Sequence, residues 1–486
     1  MTSVLTDLKP DPTDLHVTEG SGWSGRTWLL LVVLGGALFL DGLDISMVGV
    51  ALPSIGEDLG MSPAGLQWIV SGYVLGYGGF LLLGGRAADL LGRRSVFLIA
   101  VGAFGVASVV SAFLSNDLAL IGLRFFKGVA AAFTVPAGLS IITTTFAEGP
   151  ARNRAFSVYT VCGASGFSMG LVFGGILTEL GWRMTFLLPG PAALLLLFVG
   201  LKVVPRAARQ TSSLKHFDLL GAFTSTASLL VLVYAVVEAP TRGWDNPATW
   251  ALLVTSALLA VVFVVVELRH EHPLVRLGIL RSASVVHANL AGAVMFGGYV
   301  AFQFVVTLYL QNALGWSPMA MALGFLPAGI LVVASAVKMG SVLERFDTRL
   351  VIAAGLASFA TGYALFLRVT PDMGYANFLL PTMLLLGLGF ALCFPAINAQ
   401  ATSGVADHEQ GLASGLVNTS VQIGGAVMLA VISAVIGAGS GVTEKDTLLP
   451  GMTTAIQIIV ALTVVGLLGT LAVIGLRRPS GVESTP

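Results

Sequence analysis

Two pairs of ionisable residues lie inside long apolar stretches of the chain. Asp41 and Asp44 are three residues apart, as are Arg124 and Lys127, so on helices each pair would share one face. An unpaired charge at the centre of a bilayer costs about 2.5 to 3.5 kcal/mol on insertion scales. Pairing avoids that cost, and we therefore predict that the two stretches are neighbouring helices whose acids meet the bases.

A carboxylate held among these charges has the chemistry to bind and release a proton. Burial favours its neutral form and a nearby cation favours its charged form, so opening the site to either side of a membrane would switch protonation. Asp44 is the first candidate for the proton and Asp41 the second. Arg124, which stays charged, would hold the network, whereas a buried Lys127 can lose its proton and join the relay. The alternative is a fixed structural network of salt bridges.

The elements that position these residues are strongly apolar. Of 486 residues 56% are hydrophobic and 10% are charged, with a mean hydropathy of +0.90. A soluble domain has about 25% charged residues, and apolar runs of about twenty residues match the length of a membrane-spanning helix. The chain is therefore predicted to be an all-α polytopic membrane protein with fourteen transmembrane helices. The predicted spans lie near residues 28–52, 65–84, 95–114, 117–140, 155–178, 184–204, 217–238, 249–267, 284–312, 318–338, 350–368, 376–399, 411–437 and 453–476.

The connecting loops predict an orientation and a division into halves. Nineteen of the 25 Lys and Arg residues fall in one set of loops and four in the opposite set, which places both termini in the cytoplasm. The segment Gly85–Arg94 is partly repeated at Gly340–Arg345, which indicates two related halves. The predicted arrangement is therefore six helices, an inserted pair and six more. The predicted domains are a cytoplasmic tail (1–26), an N-terminal six-helix bundle (27–204), two inserted helices with linkers (205–283), a C-terminal six-helix bundle (284–478) and a second cytoplasmic tail (479–486).

Several motifs together resemble the major facilitator superfamily, in particular its fourteen-helix drug/proton antiporters of the bacterial multidrug or antibiotic efflux type. The resemblance spans nearly the whole chain, although Lys127 stands where the family usually has Gln and Leu171 where it usually has Pro. The matching segments are Leu43–Pro53, Gly85–Arg94, Arg124–Gly128, Gly166–Gly175, Tyr309–Gln311 with Gly315, and Gly411–Gly415.

The resemblance implies the major facilitator fold and a role for each motif. In the loop segment Gly85, Asp89, Gly92, Arg93 and Arg94, the carboxylate of Asp89 would act in gating through a helix dipole, while the arginines alone would serve as a cytoplasmic anchor. The glycines Gly166, Gly170, Gly174 and Gly175 would let helices pack closely, with a hinge as a further possibility. Since Asp41 and Lys127 both depart from the common family pattern, a direct ion pair between them is a further hypothesis.

Polar and aromatic residues at cavity-facing spacing in the second half are candidates for a substrate cavity. An apolar cavity with a few polar groups suits amphipathic ligands, although each residue alone is equally suited to an interhelical hydrogen bond or to packing. The candidates are Asn289, Phe296, Tyr299, Gln303, Tyr309, Phe394, Asn398, Asn418 and Gln422.

The functional prediction is export of amphipathic drugs or antibiotics in exchange for protons by alternating access. The protein is predicted to lie in the bacterial inner membrane and to be a monomer. Its expected partners are the lipid bilayer, protons and an amphipathic small molecule. The sequence contains no phosphate-binding loop, metal-spaced Cys/His cluster or nucleophile elbow, so neither ATP-driven transport nor a metal site is expected. We predict no enzymatic role, no nucleic-acid partner and no cofactor other than the proton-motive force. The alternatives are a specific metabolite symporter or facilitator and a nontransporting membrane sensor.

Overall fold

The computed structural model shows a chain built from long helices. It describes residues 23–147, 150–206, 218–270, 273, 277–370, 373–403, 405, 410–438 and 447–475. Helices α1 to α15 are Gly25–Leu59, Pro63–Leu91, Arg93–Ser111, Asp117–Thr145, Pro150–Leu180, Met184–Leu187, Pro189–Val203, Leu219–Arg242, Pro247–Arg269, Ala283–Leu308, Pro318–Arg345, Thr348–Phe366, Tyr375–Thr402, Gln410–Ala438 and Met452–Gly475. A 3-10 helix, Leu277–Arg281, precedes α10, and a π-helical turn, Tyr309–Ala313, follows it.

Twelve helical stretches among the described residues are long and apolar enough to cross a membrane. The twelve include neither α2 nor α8, although α8 contains a shorter apolar stretch, Leu220–Val236. The all-α, multi-pass character is therefore confirmed, while the count of fourteen spans stays a prediction.

Local sequence determines where many helices start. The side chains of Ser62, Asn116 and Ser317 accept hydrogen bonds from amides at the first turns of α2, α4 and α11, at 3.2, 2.8 and 3.1 Å. Such caps satisfy amide groups that have no partner within the helix. Helix α1 begins at Gly25, so Gly25 and Arg26, which we assigned to the N-terminal tail, belong to the first helix. Residues 1–22 and 476–486, with most of both tails, lie outside the described residues.

Helix contacts define two groups and an additional pair. Helix α1 packs on α5, and α2 on α4, whereas in the second group α10 packs on α14 and α12 on α13. The two groups meet through α5 with α11 and through α2 with α14. Helices α8 and α9 pack on each other, and α8 also touches both α2 and α14. The inserted pair thus lies beside the seam at which α2 and α14 meet.

Candidate functional site

Asp44 on α1 is the centre of a buried ion cluster. Its Oδ2 accepts a hydrogen bond from Nη1 of Arg124, and its Oδ1 accepts one from Nζ of Lys127. Asp44 and Lys127 are wholly buried, and Arg124 is 1% exposed. The structure therefore brings the two helices together through these charges, and both oxygens of Asp44 are bonded by cations.

One aromatic ring and a backbone carbonyl complete the described surroundings of Arg124. Its Nε donates to the carbonyl oxygen of Ile69 at 3.1 Å, and its guanidinium carbon lies 4.6 Å from the centroid of the Tyr73 ring. Both partners belong to α2. The planar guanidinium, with donors on several edges and a face that stacks on rings, fits this set of contacts better than an ammonium would. Arg124 consequently joins α1, α2 and α4 at one point.

Lys127 lies in a mainly apolar environment. Its Nζ is 4.7 Å from the centroid of the Phe104 ring and 5.4 Å from that of Phe186. The hypothesis of a direct Lys127–Asp41 ion pair is wrong, because the Lys127 salt bridge runs to Asp44, one helical turn further along α1. The rings around Lys127 stabilise a cation through their faces without supplying a second negative charge.

Asp41 lies in a different environment from Asp44. The hydroxyl of Tyr73 donates a hydrogen bond to Oδ1 of Asp41. Asp41 also borders a cavity of about 10 Å³, close to the minimum space that a water molecule requires, which Phe104 and Thr134 help to line. The two aspartates share a helix face as predicted from their spacing, but only Asp44 forms salt bridges with the basic residues.

The predicted glycines of α5 lie against neighbouring backbones. A Cβ added to Gly166 would lie 2.1 Å from the carbonyl oxygen of Phe39, and one added to Gly170 would lie 2.5 Å from that of Leu43. Gly174 lies similarly close to α1, with a built Cβ at 3.0 Å from Cα of Met47. The stripe thus permits the close packing of α5 on α1.

Gly175 differs from the other three glycines because it faces the second group of helices. A Cβ at Gly175 would lie 2.7 Å from Cβ of Ala322 and 2.9 Å from Cα of Met319, both on α11. This glycine therefore belongs to the contact between α5 and α11.

The predicted gating segment forms the tight connection between α2 and α3. Gly92 has φ +94°, a conformation that side-chain-bearing residues rarely adopt. Arg94 donates through Nη2 to the carbonyl oxygen of Leu201 in the last turn of α7, and through Nη1 to that of Val204, which caps α7. Carbonyl groups at the end of a helix lack partners within the helix. Arg93 is half-buried, and an added Cβ at Gly85 would meet only Pro136, at 3.7 Å. The side chain of Asp89 lies outside the described part of the structure, so its gating role stays a prediction.

Three of the predicted cavity residues face the first group of helices. Nε2 of Gln303 lies 3.3 Å from the position of an added Cβ on Gly49, and Cβ of Gln422 lies 3.0 Å from that of Gly78. The ring of Tyr299 lies 5.7 Å, centroid to centroid, from Phe167 on α5. These residues are near the contact between the two groups.

An aromatic cluster continues from Tyr299 into the second group. The Tyr299 ring lies 5.5 Å from Phe390, which stacks on Phe394 at 5.4 Å and on Phe167 at 6.4 Å. Phe394 was predicted from the sequence, whereas Phe167 and Phe390 were not selected for the cavity. Ring spacing along an apolar helix does not distinguish a residue at a helix contact from one in the core.

The remaining cavity candidates are engaged within the second group. Asn289, Asn398 and Asn418 each donate to a carbonyl four residues earlier on their own helix, at 2.8, 2.8 and 3.0 Å. Asn289 also accepts a bond of 2.7 Å from Ser420 on α14, and Phe296 is 8% exposed near Gly425. Asn289 therefore matches the alternative of a hydrogen bond between helices, whereas the printed bonds of Asn398 and Asn418 run along their own helices.

Tyr309 packs against α12 in the second group of helices. It is fully buried, and its ring packs edge-on against Phe366 at 6.5 Å. Gln311, two residues further on, points the other way and donates to the carbonyl oxygen of Val50 on α1 at 2.9 Å. Residues two apart on an α-helix are about 200° apart around its axis, so the opposite directions of Tyr309 and Gln311 agree with ordinary helical spacing.

Comparison with known proteins agrees with the helix arrangement. Residues 34–429 match the model of the Major Facilitator Superfamily. The chain is 38% identical over 438 residues to the puromycin resistance protein pur8 of Streptomyces alboniger, covering 88% of this chain and 86% of that protein. It is 35% identical over 431 residues to the cephamycin export protein CmcT of Amycolatopsis lactamdurans, covering 87% and 89%.

A solved structure shows the same fold at low sequence identity. The structure of a bacterial homologue of the human drug peptide transporters PepT1 and PepT2 superposes with a TM-score of 0.66 at 14% identity, covering 94% of this chain and 99% of that one. The family model covers most of the chain, and the structural superposition covers 94% of it. The chain therefore belongs to the major facilitator superfamily and is a multi-pass membrane transporter rather than an enzyme.

Proposed function

We propose that this transporter exports amphipathic drugs or antibiotics in exchange for protons. The main observation behind the proposal is the buried cluster of Asp41, Asp44, Arg124 and Lys127, which lies within the first group of helices. Two relatives that cover most of the chain are named for puromycin resistance and cephamycin export. Ionisable groups buried at mid-membrane are characteristic of proton relays in transporters.

The proposed mechanism is alternating access between two six-helix halves, residues 27–204 and 284–478. The halves would rock about a site lined by Tyr299, Gln303 and the neighbouring aromatic rings, with the inserted pair in residues 205–283 at the side. In this scheme the membrane is the bacterial cytoplasmic membrane, and both termini are cytoplasmic. The proton-motive force is sufficient, because about 150 mV sustains roughly a 300-fold gradient for exchange of one charge.

Proton movement in proteoliposomes tests the proposal. Puromycin is the first probe, and a pH-sensitive dye is enclosed in vesicles that are acidic inside. Addition of puromycin outside should drive its uptake and raise the internal pH, because each inward substrate movement is coupled to outward proton movement. Protein-free vesicles are the control.

Each other outcome identifies a different activity. Internal acidification with puromycin uptake would indicate symport, and uptake without any pH change would indicate facilitated diffusion. If puromycin and a panel of other amphipathic cations and neutral antibiotics all leave the vesicles unchanged, the exporter proposal is wrong.

A further inference from the structure

The two buried aspartates differ in the groups that can stabilise their charge. Asp44 has a cation on each carboxylate oxygen and no exposed surface. A carboxylate in this position is strongly favoured in its ionised form, and protonating it would leave two buried cations with their shared counter-charge removed. Asp44 is therefore suited to a permanent charge.

The hydrogen-bond partner of Asp41 is a hydroxyl group, whereas the partners of Asp44 are two cations. This hydroxyl belongs to Tyr73, and the salt bridges of both basic residues run to Asp44. A hydroxyl can donate to a carboxylate and can accept from a carboxylic acid, so the contact with Tyr73 is compatible with either protonation state of Asp41. No other described acid in the cluster has this property.

Asp41 also has the better access for a proton. It is 6% exposed, against none for Asp44, and it borders the small cavity between α1, α3, α4 and α7. Thr134 lines the same cavity, and its hydroxyl donates to the carbonyl oxygen of Ala130 at 3.0 Å, which leaves that oxygen able to accept a hydrogen bond. A single water there would have polar partners in Asp41 and Thr134 and would provide a path for a proton to the carboxylate.

We propose that Asp41 is the group that carries the proton during transport, while Asp44, Arg124 and Lys127 remain charged throughout the cycle. This inference rests on the proton exchange proposed above and reverses the order of candidates expected from sequence. A proton from outside the cell forms an O–H bond on Asp41, and the same bond breaks when the proton leaves to the cytoplasm. The four-residue cluster is neutral with Asp41 ionised and carries one positive charge with Asp41 protonated.

Tyr73 provides a physical connection from Asp41 to the rest of the protein. Its hydroxyl bonds Asp41, its ring lies under the guanidinium of Arg124, and its helix α2 packs against α14 of the second half. Protonation of Asp41 changes the hydrogen bond of Tyr73 and thereby the position of α2 relative to Arg124. The other groups that face Asp41 are Asp44 on its own helix, Tyr77 on α2, Arg124 and Lys127 on α4 and Tyr159 on α5.

Matched substitutions distinguish the two aspartates. In Asp41→Asn, proton-driven puromycin accumulation should be lost, from the about 50-fold ratio that 100 mV sustains for one charge to a ratio of about one. Puromycin counterflow, which exchanges labelled for unlabelled substrate without net proton movement, should continue. Asp41→Glu should restore part of the accumulation, because it retains a carboxylic acid. Asp44→Asn should instead lower the thermal stability of the purified protein and abolish both activities.

A second measurement uses the unmodified protein. A hydrophobic carbodiimide reacts with protonated buried carboxyl groups, and mass spectrometry locates the product. Labelling is expected on Asp41 and not on Asp44, with puromycin reducing its rate.

The inference fails if carbodiimide labels Asp44 instead, or if Asp41→Asn moves protons with puromycin as the wild-type protein does. A wild-type protein that transports puromycin without proton movement would instead contradict the proposed exchange, so the two failures are distinguishable.

Discussion

Arg124 shows how one side chain stabilises charge in a nearly waterless environment. It bonds a carboxylate oxygen of Asp44, the carbonyl oxygen of Ile69 and the face of the Tyr73 ring, so its charge is compensated from three directions. Leaving a buried ion without its partner costs about 3 to 5 kcal/mol, which is a large part of the stability of a typical domain. These contacts therefore have to form together with the packing of α1, α2 and α4.

Tyr73→Phe separates the two roles of this tyrosine. The variant keeps the ring beneath Arg124, so the fold should be retained, but it removes the hydrogen bond to Asp41. Losing a donor to a carboxylate makes the ionised form less favourable, and the midpoint of the pH dependence of transport should move to higher pH by about one unit. Transport initial rates measured across a range of pH values test this.

Tyr363→Phe is the matched control, since it removes a buried tyrosine hydroxyl on α12, in the other group of helices. Its pH profile should remain close to that of the wild-type protein. If both variants keep the wild-type profile, the hydroxyl of Tyr73 does not influence the proton-binding group.

For individual residues, the sequence identifies the charged members of the cluster better than their neutral partners. Charges within an apolar run are conspicuous, and the three-residue spacings placed Asp44, Arg124 and Lys127 on faces that do meet. Tyr73 has no such signal, because a tyrosine in an apolar helix has the same pattern as any core aromatic residue. The distribution of cations between Asp41 and Asp44 depends on helix rotation, which a single sequence does not determine.

Helices α1 and α5 show how backbone shape limits substitution. Glycines along α5 let it approach α1 so closely that backbone atoms, rather than side chains, form much of the contact. Backbone atoms cannot move aside by changing rotamer, so an added methyl group must separate the helices. This distinguishes the α5 glycines from glycines that face lipid or loosely packed regions.

Gly166→Ala should destabilise the protein, because the new Cβ would lie 2.1 Å from the carbonyl oxygen of Phe39. Overpacking of this kind costs about 1 to 3 kcal/mol, and the thermal unfolding midpoint in detergent should fall accordingly. Transport should fall as well, since α1 carries both aspartates.

Gly469→Ala on α15 is the control for this experiment. An added Cβ there meets nothing within 4 Å, and alanine is the better helix former, so the unfolding midpoint should stay the same or rise. Equal unfolding midpoints for the two variants would show that the α1–α5 contact tolerates separation.

Helix positions were predictable from apolar runs, but their ends and interruptions were not. We predicted that the first span ends near residue 52, before Pro53, whereas α1 continues through that proline to Leu59. Membrane helices tolerate proline where neighbouring groups satisfy the carbonyl that it frees. The break between α6 and α7 falls at Leu188, directly before Pro189, and a π-helical turn follows α10.

At the scale of the whole molecule, the inserted pair is attached to both halves. The hydroxyl of Thr226 on α8 donates to the carbonyl oxygen of Gly79 on α2 at 2.9 Å. An apolar cluster joins Val74 of α2, Val233 of α8 and Ala426 of α14. A helix that contacts both sides of the α2–α14 seam covers it from lipid, so any relative movement of the halves must also shift these contacts.

A second contact between the halves lies at the proline of α1. Pro53 has no amide proton, which leaves the carbonyl of Gly49 without its usual partner, and Gln311 donates to the adjacent carbonyl of Val50 at 2.9 Å. Gln311→Leu removes this bond, which contributes about 0.5 to 1.5 kcal/mol. The fraction of molecules in which the two halves touch at this end should therefore fall about two- to tenfold relative to the fraction in which they are apart.

Paired spin labels at Leu180 and Asn377 measure this shift, because they are exposed residues near the same end of α5 and α13 and belong to different halves. Their distance distribution should gain a longer component in Gln311→Leu. Asn312→Leu alters the next, exposed amide in the chain and should leave the distribution unchanged.

Because a single bond at a proline-disrupted site can be made and broken at little cost, it is suited to a contact that must open in every cycle. An unchanged distribution in Gln311→Leu would show instead that apolar packing, such as that of Gly175 on Ala322, holds the halves together without it.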